Sequence, residues 1–333
     1  MSRVLVTGGV GTIGAAVVRR LLADPDYEVR VSDRRSAPQW MREGCEVHTG
    51  DLRIPREARA ATNGCSQVIH VAAMGGGVAS GERLQYTLTE HNNALCNAVI
   101  GAAIDVDLER FVYVSSALVF ERAELFPTPE DHLRQCPLPL SAYGFSKLMG
   151  EMYCSAAHEE HDLRYTICRP FNAYGPGELA GVEPGIAHVV ADLIEKALLG
   201  QRPLEIFGSG EQTRTLTHVE DVAEGIVTAM SSRAGLNEDF NISAQRELTV
   251  AQIARMIWEA CGNNPETFAL EQLPPFTLDV QRRWPSVEKA QLLLGWRAGI
   301  SLEDGIAETV RWRRGVKSIG GGAPGERWLP TLR

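Results

Sequence analysis

Residues 4–14 read VLVTGGVGTIG, an apolar run followed at once by three glycines at a spacing of three: Gly8, Gly11 and Gly14. The apolar run predicts a buried strand, and a helix is predicted to begin after the turn. Glycines in such a strand–turn–helix let the backbone approach a pyrophosphate, which the helix N-terminus attracts through its unpaired N–H groups and its dipole. The stretch therefore predicts a dinucleotide-binding turn at the start of a parallel α/β sheet.

An acidic residue at the end of the second predicted strand bears on which dinucleotide is bound. Asp33 lies about twenty residues after the glycine turn, where a carboxylate can accept hydrogen bonds from both hydroxyls of an adenosine ribose. Its charge also repels a 2′-phosphate, which favours NAD over NADP, although Arg34 and Arg35 follow directly and could bind that phosphate. NAD is therefore the predicted cofactor. Its expected contacts near the strand ends are Gly8, Gly11, Thr12, Ile13, Asp33, Asp51, Leu52, Ala72 and Ala73.

The composition narrows the class of protein. The chain has 333 residues, of which 44% are hydrophobic and 23% charged, as is typical of a folded protein with a large core. A net charge of −9 without basic runs argues against a nucleic-acid partner or an anionic membrane surface. The seven cysteines include no C-x-x-C pair, so we expect reduced thiols in a cytoplasmic protein without a metal site. No apolar stretch reaches about 18 residues, so no membrane span is predicted.

Strands and helices alternate over the first half of the chain. Alternation of this kind predicts a doubly wound parallel sheet, the Rossmann arrangement, with right-handed crossovers. The predicted strands are Val4–Thr7, Glu28–Ser32, Glu46–His48, Gln67–Val71, Phe111–Ser115 and Tyr165–Cys168, and the main predicted helices between them are Ile13–Leu22, Leu88–Ala103 and Ala142–His158.

The pattern loosens after Pro170, which predicts a second, smaller region of mixed helices and short strands that holds the substrate. The dinucleotide-binding domain is predicted at 1–171, with 214–240 returning to it. The substrate-binding domain is predicted at 172–213 and 241–315. Residues 316–333 are rich in glycine at their centre and predict a flexible tail.

Two residues on a later predicted helix are candidates for acid–base chemistry. Tyr143 and Lys147 are four residues apart and therefore project from the same helix face. A free phenol has a pKa of about 10, too high for a base at neutral pH. We expect the Lys147 ammonium and a positively charged nicotinamide ring to lower the pKa of Tyr143 by roughly 3, equivalent to about 4 kcal/mol. Tyr143 would then take a proton from a substrate hydroxyl while hydride leaves the same carbon.

Two further contacts complete this predicted catalytic group. Ser115 and Ser116 end the fifth predicted strand, at the sheet edge where ligands bind in such folds. A hydroxyl there can orient the substrate oxygen, and we expect this role of Ser116; a capping serine is the alternative. Lys147 is also expected to hydrogen-bond the nicotinamide ribose.

At this point the chain resembles a known family, the extended short-chain dehydrogenases/reductases, and within it the NAD-dependent epimerases and dehydratases that act on nucleotide sugars. The resemblance extends from about Arg3 to about Arg314. It rests on the glycine turn, Gly50-Asp-Leu52, His70-Val-Ala-Ala73, Asn93, Val114-Ser-Ser-Ala117, Tyr143-Gly-Phe-Ser-Lys147, Arg169-Pro-Phe-Asn172-Ala-Tyr-Gly-Pro-Gly177, Gly208-Ser-Gly-Glu-Gln-Thr-Arg214, His218-Val-Glu-Asp221 and Leu294-Gly-Trp296.

The resemblance implies roles for individual residues. Ser116, Tyr143 and Lys147 would form the catalytic triad. Asn172 would contact the diphosphate or the sugar of a nucleoside-diphosphate sugar, and Arg214 and Arg282 would hold its phosphates. The family also implies a homodimer packed through the helices that carry Asn93 and Tyr143.

Departures from the family pattern bear on the reaction. The 4,6-dehydratases have Asp-Glu after the Ser/Thr, the related decarboxylases have Glu at the second position, and the GDP-mannose 3,5-epimerases and GDP-fucose synthases have Cys there. This chain has Ala117 and Leu118, which carry no exchangeable proton. His188 matches the acid histidine of the fucose synthases, but alone it supplies half of an acid–base pair, and packing or substrate contact is an alternative role.

The reaction for which the sequence has every required residue is 4-epimerisation of a nucleotide sugar. It needs oxidation at C4, rotation of the 4-keto sugar and return of the hydride to the other face, with no protic group beyond the triad. Two other readings stay open. One is another reaction of the same family, a 3,5-epimerase or 4-keto reductase that uses His188, or a dehydratase. The other is a non-catalytic protein that senses a dinucleotide.

Overall fold

The computed structural model describes residues 1–77, 82–181 and 187–318. Its central layer is a seven-stranded sheet in which all neighbouring strands are parallel. The strands are β1 (Ser2–Thr7), β2 (Tyr27–Asp33), β3 (Glu46–Thr49), β4 (Gln67–His70), β5 (Arg110–Val114), β6 (Tyr165–Pro170) and β11 (Glu238–Ile242). Their order across the sheet is β3-β2-β1-β4-β5-β6-β11, so the predicted doubly wound parallel fold is confirmed.

Helices cover both faces of this sheet. The described helices are α1 (Thr12–Leu22), α2 (Gln39–Gly44), α3 (Pro55–Thr62), α4 (Gln85–Asp105), α5 (Ala142–His161), α6 (Val189–Leu198), α7 (Val219–Ser231), α8 (Val250–Ala260), α9 (Glu288–Leu294) and α10 (Leu302–Ser318). Helices α1 and α7 pack together on one face, and α3, α4 and α5 pack on the other.

The apolar residues of β1 explain the two faces. Val4 and Val6 contribute to the core beneath α1 and α7, whereas Leu5 contributes to the core beneath α4 and α5. Side chains alternate along a strand, so a strand covered on both faces has to be apolar throughout. Helix α1 packs on the Val4 and Val6 face of the sheet through Val17 and Leu21, which are both fully buried. The sheet therefore has a separate core on each face. Because both faces are covered, a ligand can bind only at the edge of the sheet.

A second layer of short strands and helices stands at the carboxyl end of the sheet. Its helices α6, α8 and α10 enclose a third core that includes Leu193, Ile253 and Trp258. The short strands pair in twos: β7 (Ala173–Tyr174) with β10 (Thr217–His218), β8 (Leu204–Phe207) with β13 (Leu270–Leu273), and β9 (Thr213–Thr215) with β12 (Glu247–Thr249).

The chain crosses between the two layers more than once. After β10 it returns to the sheet, where α7 packs on α1 and β11 pairs with β6 up to Ile242. Helix α10 continues to Ser318, so the first residues of the predicted tail are helical, and 319–333 lie outside the described ranges. Of the helices in the described ranges, none is both long and apolar enough to cross a bilayer.

Candidate active site

The glycine turn after β1 is too closely packed for side chains at Gly8 and Gly14. Gly8 has φ +68°, and a Cβ on it would lie 2.7 Å from Cα of Ala72. A Cβ on Gly14 would lie 2.2 Å from the Gly8 carbonyl oxygen. The turn thus brings the N-terminus of α1, with Thr12 and Ile13, to the edge of the cavity described below.

Of the two carboxylates expected at the adenosine end, Asp33 is the last residue of β2 and Asp51 follows the neighbouring strand β3. Asp33 Oδ2 accepts a hydrogen bond from the Val10 N–H at 3.1 Å, which ties β2 to the glycine turn. The same carboxylate is paired with Arg35. Asp51 is paired with Arg53, and this pairing lowers the pKa of Asp51. Leu52, the next residue, is buried. Ala72 donates its N–H to the hydroxyl of Thr7 at 3.2 Å, next to the glycine turn.

The three predicted catalytic residues come from two neighbouring elements. Ser116 follows β5 and caps a 3₁₀ turn over Ala117–Phe120, with its Oγ accepting from the Leu118 N–H at 3.2 Å. Tyr143 lies in the first turn of α5, whose N-cap is Ser141. Ser116 and Tyr143 both line the cavity, and their side chains are hydrogen-bonded to each other.

Lys147 lies one helical turn further, beneath Tyr143. Its Nζ donates to the Val114 carbonyl oxygen at 2.7 Å and is 5.8 Å from the ring centroid of Tyr143. Burial lowers the pKa of Lys147 to about 8, against the opposing effect of Cys96 and Glu151. Lys147 thus remains a cation at neutral pH, near the face of the tyrosine ring.

The pKa of Tyr143 departs from the expectation drawn from sequence. Burial raises it to about 12, and only the hydrogen bond from Ser116 acts to lower it. The expected lowering by Lys147 is therefore wrong for these side chains alone. The physical reason is that the phenol loses its hydration on burial, while the Lys147 ammonium is directed to Val114 instead of the phenol oxygen.

A cavity of about 320 Å³ extends from this catalytic group into the second layer. Asn172, directly before β7, lines it together with Arg214 on β9, and Asn172 has φ +40°. Arg214 is buried and paired with Asp279 at 2.6 Å, and it also donates to the Val280 carbonyl oxygen at 2.7 Å. Desolvation lowers the pKa of Arg214, and Asp279 opposes this effect.

A second arginine in the cavity is Arg283. Its NH1 is 3.4 Å from Oδ1 of Asn172, and its Nε has no hydrogen-bond partner among the described residues. Burial and the nearby Arg214 lower its pKa to about 9, so it is still a cation at neutral pH. Arg283 thus offers open donors to an anion in the cavity.

Arg282, which the sequence analysis assigned to a phosphate, does not line the cavity. Its guanidinium is paired with Glu247 at 2.8 Å and lies 4.9 Å from the ring centroids of Phe126 and Trp284. Adjacent residues of an extended segment point to opposite sides, so only one of two consecutive arginines can face the cavity. The position of Arg282 therefore does not fit the expected phosphate contact, and Arg283 is the arginine that faces the cavity.

His188 lines the cavity with a partner that sequence reasoning missed. Its Nδ1 is 2.7 Å from Oε1 of Glu178, and the same oxygen accepts the His188 backbone N–H at 3.1 Å. Glu178 is buried and also lines the cavity. It follows Gly177 in a loop rich in glycine and proline, where no periodic pattern marks a residue that faces inward.

Behind the triad lies a second group that sequence reasoning missed. Glu151, one turn after Lys147, accepts from Ser115 Oγ at 2.5 Å and from Arg169 at 2.7 and 2.8 Å. Arg169 is 1% exposed and is also paired with Asp239 on β11 at 2.7 Å. These bonds join α5 to the ends of β5 and β6. Because the Ser115 hydroxyl is bonded to Glu151, Ser116 is the serine of the pair that is available to orient a substrate oxygen.

The arrangement fits a dinucleotide. The close-packed glycine turn exposes the N-terminus of α1, Asp33 marks the end of β2, and Lys147 and Tyr143 lie at the end of β5. These are the carboxyl ends of neighbouring parallel strands, which is where such folds bind their ligands. Among the described residues, no group of three or more His, Cys, Asp or Glu could hold a metal ion.

The sequence profile of the NAD dependent epimerase/dehydratase family matches residues 4–243. The chain belongs to this family. It is 29% identical over 325 residues to UDP-glucuronic acid decarboxylase 1 of Xenopus tropicalis, covering 94% of this chain and 72% of that protein. The structure is similar to that of UDP-glucose 4-epimerase with UDP-glucose from Thermotoga maritima, with a TM-score of 0.83, 30% identity, and coverage of 95% and 99%.

A third comparison bears on the cofactor. The UDP-glucose 4-epimerase complex with NAD from Thermus thermophilus has a TM-score of 0.81 and 28% identity, covering 94% of this chain and 99% of the other. The family expected from sequence and NAD as the cofactor are thus confirmed. This member of the epimerase/dehydratase family is an NAD-dependent enzyme, and its relatives carry out both epimerisation and decarboxylation of nucleotide sugars.

Proposed function

We propose that this protein is an NAD-dependent nucleotide-sugar 4-epimerase. The observation that carries the proposal is the wall of the cavity beside Ser116 and Tyr143. Ala117 and Leu118 line that wall, and neither can give or accept a proton. An elimination or decarboxylation that needs a carboxylate at this point has none there, whereas epimerisation at C4 needs only the hydroxyl pair and Lys147.

The proton in this reaction is handled at the Tyr143 hydroxyl oxygen. Bound NAD⁺ supplies the hydride acceptor and, when reduced, the hydride donor. Tyr143 takes the proton of the C4 hydroxyl as the ketone forms and returns it after the sugar has turned, while Ser116 donates to the same substrate oxygen. With a pKa of about 12 the phenol is about 7 kcal/mol from ionisation at pH 7, so the base needs nearby positive charge. Since Lys147 does not lower the pKa of Tyr143 in this structure, that charge would come from an oxidised nicotinamide ring bound beside the phenol.

The other cavity residues support the turning of the sugar. Arg214 and Arg283 are proposed to hold the two phosphates, with Asn172 beside them. An anchor on the nucleotide diphosphate keeps the substrate in place while the 4-keto ring exchanges its faces. Turnover therefore depends on binding energy from a part of the substrate that does not react.

We also propose that two copies pair through α4 and α5. These helices pack side by side, and Tyr86, Phe145 and Met152 on them are exposed apolar side chains. Such a patch is typical of a protein interface. The cytoplasm remains the proposed location. Light scattering during gel filtration should give the mass of a dimer, and Met152→Glu should reduce that mass to one chain.

The reaction is tested by incubating the enzyme with UDP-, GDP- and dTDP-hexoses in D₂O and following the products by NMR. The proposal expects a product inverted at C4 with protium kept at C3 and C5. Deuterium at C3 or C5 would instead support a 3,5-epimerase with His188 and Glu178 as its acid–base pair. A deoxy-keto or unsaturated product would support a dehydratase. Tight nucleotide binding without any product would support a sensing protein.

A further inference from the structure

The Lys147 ammonium has an aromatic neighbour besides Tyr143. Its Nζ lies over the ring of Tyr113, 5.2 Å from the ring centroid, and 5.8 Å from the ring centroid of Tyr143. Tyr113 is on β5, directly before Val114, whose carbonyl oxygen accepts the hydrogen bond from Nζ. The end of β5 therefore contacts the ammonium twice, once through a carbonyl oxygen and once through an aromatic ring.

The ionisable groups near Lys147 are engaged elsewhere or neutral. Glu151, one helical turn further, accepts hydrogen bonds from Ser115 and Arg169. Burial raises the pKa of the Cys96 thiol to about 12, so that this thiol is uncharged. Lys147 itself is 3% exposed, so water does not replace these partners. A carbonyl oxygen and aromatic rings thus stabilise a buried positive charge, and a ring face attracts a cation more strongly where water is excluded.

The ring of Tyr113 is held from two sides. Tyr113 is buried, and a Cβ on Gly150 of α5 would overlap its hydroxyl oxygen, so the ring reaches α5 only because that position is a glycine. On the side of β4 the ring stacks on His70, with 6.0 Å between the centroids. His70 Nδ1 is in turn 2.8 Å from Oγ1 of Thr7, and burial holds the pKa of His70 at about 3, so it adds no second positive charge. The ring of Tyr113 thus has a fixed position beside the ammonium.

We propose that Tyr113 is a positioning residue that holds the Lys147 ammonium in place, and keeps it charged, through the face of its ring. Tyr113 does not line the cavity, so it acts only through Lys147. Burial has already lowered the pKa of Lys147 to about 8, so loss of the ring should lower it further and leave the lysine partly neutral at pH 7. The importance of Tyr113 for turnover rests on the proposed role of Lys147 in the reaction, whereas its effect on the ammonium can be measured without any substrate.

The test is a titration of Lys147 by NMR, which is direct because the chain has only four lysines: Lys147, Lys196, Lys289 and Lys317. With ¹³C-labelled lysine, the shift of each Cε signal follows the charge of its ammonium, and Lys147→Met identifies the signal of interest by its absence. The full chain is titrated with and without saturating NAD⁺, and variants are compared with wild type in the same state. Tyr113→Leu should lower the pKa of Lys147 by about 1, whereas Tyr113→Phe, which keeps the ring, should stay within about 0.3 of wild type.

Phe111→Leu is the matched control. Phe111 is also buried on β5, in the same core as Tyr113, and its ring centroid lies 6.1 Å from that of His70. This variant removes an aromatic ring from that core but leaves the ring over Nζ, so the pKa of Lys147 should stay within about 0.3 of wild type. The proposal is overturned by an unchanged or raised pKa in Tyr113→Leu, by an equal fall in Phe111→Leu, or by an equal fall in Tyr113→Phe.

A second series of variants tests the ring face without changing its shape. Phenylalanine with one, two or three ring fluorines is incorporated in place of Tyr113, because fluorine withdraws electron density from the face. The pKa of Lys147 should fall with each added fluorine, and a pKa independent of fluorination would overturn the proposal. Where turnover is measurable, its high-pH limb should move down with the pKa of Lys147. A limb that stays in place while the NMR pKa falls would contradict the catalytic role of Lys147 but not the contact with Tyr113.

Discussion

Replacing Arg283 with alanine should weaken the binding of a nucleoside diphosphate far more than replacing its neighbour Arg282. Arg283 lines the cavity and has an Nε without a hydrogen-bond partner in the described part of the chain. Arg282 faces the surface and is occupied by Glu247. The two substitutions remove the same side chain from adjacent positions, so they separate a phosphate contact from a general loss of positive charge.

The size of the effect follows from the surroundings of Arg283. Burial has lowered its pKa to about 9, which shows how poorly the cation is solvated before an anion binds. Two unit charges about 4 Å apart attract by about 4 kcal/mol at an effective dielectric constant of 20. Desolvation of the phosphate offsets part of that, so we expect a net loss of about 2–3 kcal/mol in Arg283→Ala, or a Kd raised about 30- to 150-fold.

The assay is calorimetry with UDP, GDP and dTDP, read for whichever binds the wild type most tightly. Arg282→Ala should change that Kd by less than about twofold, because exposed ion pairs contribute little. Circular dichroism checks that both variants are folded. Equal losses in the two variants, or no loss in Arg283→Ala, would refute the assignment of Arg283 to a phosphate.

The remaining predictions concern catalysis, the core and pH. Tyr143→Phe should lower kcat by about 10²- to 10⁴-fold without weakening nucleotide binding, while Tyr153→Phe on the same helix should leave kcat near wild type. Glu151→Gln should cost about 3 kcal/mol in the free energy of urea unfolding because it leaves Arg169 buried with one carboxylate, and the exposed Glu160→Gln should cost almost nothing. Burial holds the pKa of His70 at about 3 in the folded protein against 6.5 in the unfolded chain, so stability is lost as pH falls below 6.5. Between pH 7 and pH 5 this loss should be about 2 kcal/mol, and His70→Gln should remove that share from the pH dependence of unfolding.

The parallel sheet was predictable because its strands are buried on both faces. The central runs Val4–Val6 of β1 and Phe111–Val114 of β5 are apolar or aromatic without interruption, and few other structures require that. Strand β11 was not predicted as part of the sheet, since Glu238-Asp-Phe-Asn-Ile242 contains two acids and an amide. Two of these polar residues have partners far away in sequence: Asp239 pairs with Arg169 and Lys289, and the Asn241 Nδ2 donates to the Thr128 and Ser286 carbonyl oxygens.

The candidate site was predictable only where residues have a fixed spacing. Tyr143 and Lys147 share a helix face, and Ser116 ends a strand, so local geometry was enough to bring them together. Arg282 and Arg283 could not be told apart, because an isolated extended segment gives no sign of which side faces inward. The pKa of Tyr143 could not be predicted from the sequence either, because it depends on burial and on the direction of the Lys147 ammonium.

The most direct test of 4-epimerisation follows a deuterium atom placed at C4 of the nucleotide sugar while the reaction runs in ordinary water. Hydride that leaves and returns within one closed site gives a C4-inverted product that retains the label at C4. Mass spectrometry and NMR of the product should therefore find all of the deuterium on that carbon. Loss of the label to solvent, or its appearance at another ring carbon, would contradict the proposed reaction.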